Sequence, residues 1–229
     1  MSERDPRTSW ARRLRRFAER GLERHPGASI LLESSSGQRV DEASRVAFRD
    51  SFTDERGHRR AIDAWLLNRL LGIGIDAALP AATKGGALDV GICAGLVTGD
   101  RSAVDQCLSG SGSLVPFDPE IGIERWTQTE LGALHALGVW ASHGVGVERV
   151  RDAGRWSVSE LQPDNATNHA WALHVFVELG LAGEAEAEGY AGTLLHNATV
   201  AGGGVPDVFS SVLLLDAARV LEEGGWLAS

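Results

Sequence analysis

The segment His169-Ala-Trp-Ala-Leu-His174 decides the predicted fold, because its pattern recurs along the chain. Asp63-Ala-Trp-Leu-Leu-Asn68 repeats it with a polar residue at each end. Three more segments fit the frame, namely Glu130-Leu-Gly-Ala-Leu-His135, Ser211-Val-Leu-Leu-Leu-Asp216 and, more loosely, Leu88-Asp-Val-Gly-Ile-Cys93. The last three copies lie about 40 residues apart, which is the length of a two-helix repeat. The repeat predicts helical hairpins whose stacking buries a continuous apolar core.

Helical spacing also dominates outside the repeat. Trp10, Leu14 and Phe17 share one helix face, and residues 38–50 and 59–72 are predicted to be helices. No segment combines alternating polarity with hairpin signals, so we expect no sheet. The sequence therefore predicts an all-α fold, with repeated helical hairpins forming an α/α superhelix or a partial α/α-barrel.

The chain is predicted to be a single helical-repeat domain over residues 1–229. Residues 1–58 would supply N-terminal helices, and residues 59–229 the repeated helical hairpins. Glycine, serine and proline predict connections at 80–86, 99–119 and 151–168.

Composition narrows the possible classes of protein. A hydrophobic content of 43 % excludes a disordered chain. No apolar run reaches the roughly 18 residues of a membrane span, and the first ten residues do not resemble a secretory signal. Two cysteines are too few for a disulfide framework. We therefore expect a cytoplasmic protein with no membrane span.

The charge is unevenly distributed. Residues 1–24 hold eight arginines and four acidic residues, whereas the remainder holds 14 basic and 27 acidic residues. An acidic body repels phosphate, which argues against nucleic-acid binding. The basic first helix could be a membrane or nucleic-acid arm, or it could pack on the domain through its aromatic stripe; we favour packing because its apolar face is short.

The Ala-Trp-x-Leu-His core and the repeat interval over residues 59–225 resemble the inner helices of α/α-toroids, the architecture of terpenoid cyclases and protein prenyltransferase β-subunits. The resemblance implies an enzyme with a cavity among its helices. The Asp-x-Asp-Asp and Asp-Asp-x-x-Asp motifs of the cyclases are missing, and the chain is short for twelve helices in a closed ring.

Placing the repeats in register aligns the residues that close each copy. These are Asn68, Cys93, His135, His174 and Asp216. Helical equivalence predicts that the five side chains point the same way, toward a groove or lumen. Two histidines and a carboxylate are ligands of zinc or iron, so His135, His174 and Asp216 form the predicted metal site and catalytic centre.

Glu178 joins this predicted centre because it lies four residues after His174 on the same helix face. It could orient the imidazole or act as a general base. The alternative is that these residues are structural, with the histidines hydrogen-bonding between repeats and Asp216 pairing with Arg219. The residues that open the copies, such as His169, lie too far round the helix to share the face.

Two functions remain open from the sequence. The first is an enzyme of bacterial specialised metabolism that modifies a small molecule or peptide, with a divalent metal, zinc or iron, at the His/His/Asp centre. The second is a non-catalytic helical-repeat protein that binds a partner or acts as a scaffold. The sequence does not predict an oligomeric state.

Overall fold

The computed structural model describes residues 5–54, 56–74, 88–162, 167–200 and 202–227, and within these ranges it contains helices and no strand. The predicted all-α class is therefore confirmed. The helices are α1 Pro6–Leu22, α2 Ser29–Ser35, α3 Glu42–Ser51, α4 Ala61–Leu71, α5 Leu88–Thr98, α6 Ser102–Leu108, α7 Ile123–Ser142, α8 Val147–Glu160, α9 Leu173–Leu181, α10 Ala185–Val200 and α11 Val208–Glu222.

Local sequence sets several of the helix ends. The Asp41 carboxylate accepts a hydrogen bond from the Ser44 backbone N–H at the start of α3, and Asp207 does the same for Ser210 at the start of α11. Gly72 ends α4 in the left-handed conformation, with φ of 61°. These caps satisfy backbone groups that the helix itself leaves unpaired.

Five helices contact one another in a closed circuit, in the order α4, α5, α7, α9, α11 and back to α4. Four of these ring helices contain a copy of the sequence repeat, and the copy at residues 169–174 ends in the first turn of the fifth, α9. Each ring helix also contacts one outer helix. The pairs are α4 with α3, α5 with α6, α7 with α8, α9 with α10, and α11 with α1. In the last of these pairs, α1 packs on α11, so the first and last described helices lie side by side. The relation to α/α-toroids remains a prediction.

The structure corrects two predicted connections. Residues 99–119 contain helix α6, and residues 151–160 belong to helix α8 rather than to an extended connection. Helix α8 buries Val150, Ala153, Gly154 and Ser157. Because this face consists mainly of small residues, it gives little apolar periodicity in the sequence. The predicted loop at 80–86 lies outside the described residues.

Helix α1 packs its apolar face on the domain. Trp10, Leu14 and Ala18 are buried, whereas Arg12, Arg16 and Arg20 remain exposed. This apolar face is covered by protein, so it is not free to enter a lipid surface. None of the described helices combines the length and the apolar character needed to cross a membrane.

Candidate functional site

The circuit of five ring helices brings three of the predicted site residues into contact. His135 Nε2 lies 3.0 Å from Asp216 Oδ2, and the His135 and His174 rings meet edge to face with their centroids 4.6 Å apart. All three side chains are at most 1 % exposed. The convergence expected from the repeat register is therefore present for these residues, but it is sealed inside the protein.

Asp216 is the charged centre of this group. Its second carboxylate oxygen forms an ion pair with Arg69 of the neighbouring ring helix α4. Burial by itself would raise the pKa of Asp216, but Arg69 and the hydrogen bond with His135 outweigh burial and lower the pKa to about 2. Burial and the Asp216 charge raise the pKa of the Cys93 thiol, which therefore stays protonated.

His135 connects this charge to the backbone that precedes α9. Its Nδ1 accepts a hydrogen bond from the Ala172 backbone N–H, at 3.1 Å. In the neutral imidazole, Nε2 must then carry the proton and donate it to Asp216. Ala172 has φ of 53° and is the one residue other than glycine with positive φ in the described ranges. The Arg69–Asp216–His135 chain thus holds a strained backbone position directly after Trp171.

His174 has a different environment from His135. Neither of its ring nitrogens has a hydrogen-bond partner, although the side chain is completely buried. Burial, reinforced by neighbouring His135, lowers the pKa of His174 well below its usual value. The His174 imidazole packs against α7 at Gly138, where an added Cβ would lie 2.5 Å from the imidazole Nε2. His174 is therefore neutral at physiological pH.

Two other predicted residues are held elsewhere. The Glu178 carboxylate accepts hydrogen bonds from Arg7 Nε at 2.6 Å and from the Leu227 backbone N–H at 3.1 Å. It thereby ties α9 to both ends of the chain, and these contacts do not orient His174. Asn68 accepts a hydrogen bond from Arg49 of the outer helix α3.

Most of the predicted metal ligands contact protein groups in this arrangement. Both His135 nitrogens and both Asp216 oxygens already have protein partners, and of the three side chains only His174 has no hydrogen-bond partner. Within the described ranges, no group of three or more His, Cys, Asp or Glu side chains is placed to hold an ion. A zinc or iron site at His135, His174 and Asp216 remains an untested prediction, and we derive no chemistry from it.

The residues that open the repeat copies have separate local roles. Asp63 accepts from the Arg60 backbone N–H at the start of α4. Glu130 accepts from the backbone N–H groups of Leu114 and Val115 and so fixes the connection before α7. His169 Nδ1 lies 3.3 Å from the Ser210 hydroxyl oxygen, and the His169 side chain is half-buried.

A second polar group lies where four of the ring helices begin. It consists of Arg60, Asp89, Trp171 and Phe209, which we call the N-end cluster. The Arg60 guanidinium lies 3.5 Å from the centroid of the Phe209 ring, and the Phe209 and Trp171 centroids are 5.3 Å apart. Gly132 of α7 separates Asp89 from Trp171, since a Cβ there would lie 3.1 Å from Asp89 Oδ2 and 3.5 Å from the indole.

Each polar member of the N-end cluster has an unused hydrogen-bonding atom. Asp89 Oδ1, Trp171 Nε1 and Arg60 Nη2 are buried without a partner. Burial raises the pKa of Asp89 to about 6, although backbone hydrogen bonds from the start of α5 oppose the shift. Buried polar atoms usually have hydrogen-bond partners in folded proteins, so these three atoms are candidates for hydrogen bonds to a ligand.

Sequence reasoning missed the N-end cluster. Asp89 lies at the second position of the loosest repeat copy, outside the two aligned polar positions. A usable signal was present, because Asp89 is the single charged residue of the otherwise apolar helix α5. Trp171 and Trp65 were aligned by the repeat, and both are buried.

Comparison with known proteins gives no assignment: the chain matches no protein-family model, no curated protein and no solved structure.

Proposed function

We propose that this chain is an enzyme that modifies a small molecule at the N-end cluster. The observation that carries the proposal is the set of three unpartnered polar atoms on Asp89, Trp171 and Arg60. A buried polar atom without a hydrogen bond costs about 1–3 kcal/mol, so a group of them is retained more readily where a ligand completes it.

The three groups have complementary chemistry. With a pKa of about 6, Asp89 can release or take up a proton near neutral pH, which suits a general acid or base. The indole N–H of Trp171 and the guanidinium of Arg60 are donors only. A substrate bearing a carbonyl or carboxylate oxygen would satisfy these donors, with Asp89 handling the proton of the reacting group.

The buried His/Asp network acts here by positioning. Asp216 orients His135, and His135 holds the Ala172 backbone N–H beside Trp171. The His135 ring also contacts the Trp171 indole edge to face, with centroids 6.0 Å apart. We therefore assign His135 and Asp216 the role of fixing Trp171, while Asp89 is the proposed proton-transfer residue.

A non-catalytic helical-repeat binding protein is the second candidate. It is favoured by the burial of His135, His174 and Asp216, which gives none of them direct contact with solvent. On this alternative, the N-end cluster would hold a ligand without changing it.

The test is a conversion assay with a defined control. The purified full chain, Asp89→Asn and Asp152→Asn are each incubated with a bacterial small-molecule extract, and substrate consumption is followed by mass spectrometry. Asp152 is an exposed aspartate of α8 and serves as the matched control. We expect the wild type and Asp152→Asn to consume the same compounds, and Asp89→Asn to be at least about 100-fold slower.

Two results would contradict the proposal. Equal conversion by Asp89→Asn and the wild type would remove Asp89 from the chemistry. Saturable binding of an extract compound without any conversion would support the binding protein instead.

A further inference from the structure

A cleft opens at the opposite end of the ring from the N-end cluster. It lies between the connection from α2 to α3 and the C-terminal ends of α4 and α11, and its volume is about 590 Å³. Leu70, Leu71 and Leu215 line its apolar part. Its charged side chains are Arg15, Arg39, Arg45, Arg219, Glu222 and Glu223.

Positive charge remains in this cleft after its ion pairs are formed. Glu222 accepts from Arg15 Nε at 2.7 Å, and Glu223 accepts from Arg219 Nε at 2.7 Å. Both glutamates are thereby neutralised, which leaves the charges of Arg39 and Arg45. The two helix C-termini contribute about half a negative charge each, so roughly one positive charge remains in a chain of net charge −9.

The remaining donors are positioned but incompletely used. Arg45 is fixed because its Nη1 donates to the Leu71 carbonyl at 2.6 Å, yet its Nε is buried without a partner. The Ser34 hydroxyl is also buried without a partner. Arg39 is exposed at the rim and makes no ion pair or hydrogen bond with any residue in the described ranges.

We propose that this cleft binds a small molecule through an oxyanion, held by the guanidinium groups of Arg39 and Arg45. Guanidinium groups pair with phosphate and carboxylate oxygens in the same forked geometry, so either group satisfies these donors. The cleft is larger than one such group, and its leucines would contact the body of the ligand. This site is separate from the N-end cluster and does not depend on the proposed function.

Titration of the full chain with inorganic phosphate and, separately, with citrate tests the proposal. Binding is followed by calorimetry at constant ionic strength, because nonspecific attraction is screened by salt. We expect saturable binding of at least one anion; tighter binding of phosphate would indicate a phosphorylated ligand, and tighter binding of citrate a carboxylate. Arg39→Gln should weaken binding about tenfold, since a charge-assisted contact is lost.

Arg20→Gln is the control, because Arg20 is an exposed arginine of α1 outside the cleft. It should bind as the wild type does. Absence of saturable binding for both anions, or equal weakening by Arg39→Gln and Arg20→Gln, would overturn the proposal.

Discussion

A buried carboxyl group with an unpaired oxygen destabilises a fold whenever it is charged, and Asp89 is such a group. Its pKa is raised from 3.8 to about 6, so the folded chain binds more protons than the unfolded chain between these pH values. The free energy of unfolding must therefore fall as pH rises through this window and stay lower above it.

Asp89→Asn should remove this penalty, because the amide stays neutral at every pH. We expect the free energy of unfolding to rise by about 1–3 kcal/mol at pH 8 and to change little at pH 3.5. Urea titrations of wild type and variant at both pH values measure the difference. Asp152→Asn should leave both values unchanged, and an equal loss of stability by Asp89→Asn at both pH values would refute the assigned environment.

At the site, the sequence predicts which residues lie on equivalent helices but not which atoms each of them contacts. The repeat register placed His135, His174 and Asp216 on equivalent helices, and the structure brings them together. Register could not show that the Ala172 N–H occupies His135 Nδ1, because that contact depends on one left-handed residue before α9. Nor could it show that Glu178 turns toward Arg7, 171 residues away in the chain.

At the level of elements, glycines set how closely α7 and α9 approach. A Cβ at Gly138 would lie 2.5 Å from both His174 Nε2 and Val175 Cγ2, so the α7 backbone directly contacts two side chains of α9 there. Gly138 lies one helical turn after His135 in the sequence, and the sequence does not tell whether a ligand or a helix fills the space beside it. The structure shows that a helix does.

Gly138→Ala should force these helices apart and cost about 1–3 kcal/mol of stability. Gly192→Ala in α10 is the matched control, since nothing lies within 4 Å of the added Cβ and alanine favours the helix by about 0.5–1 kcal/mol. The two variants should thus shift the urea midpoint in opposite directions. A shift of the same sign in both would show that α7 and α9 are not in close contact.

For the whole molecule, the Arg69–Asp216 pair joins the first and last helices of the ring. Removing one member of a buried pair leaves an uncompensated charge and costs about 3–5 kcal/mol. The all-α fold class was predictable from helical spacing. Closure of the circuit was not, because it depends on contacts between segments about 150 residues apart.

Arg69→Met should therefore destabilise the protein by about 3–5 kcal/mol near pH 7, where Asp216 is ionised. Because the pKa of Asp216 falls from 3.8 to about 2 on folding, its stabilising contribution disappears as pH falls through that interval. Urea titrations of Arg69→Met, Asp216→Asn and the double variant measure the coupling. A double variant as unstable as the two single losses combined would contradict a direct interaction.

The packing of α1 on α11 has a consequence for how the protein is made. Helix α1 precedes its partner α11 by almost the whole length of the described chain, so Trp10, Leu14 and Ala18 remain without their native cover while the intervening residues are translated. Apolar surface that is exposed in this way during synthesis promotes non-native association. We therefore expect a translation product that stops before α11 to be prone to aggregation, because its α1 stripe has no native partner.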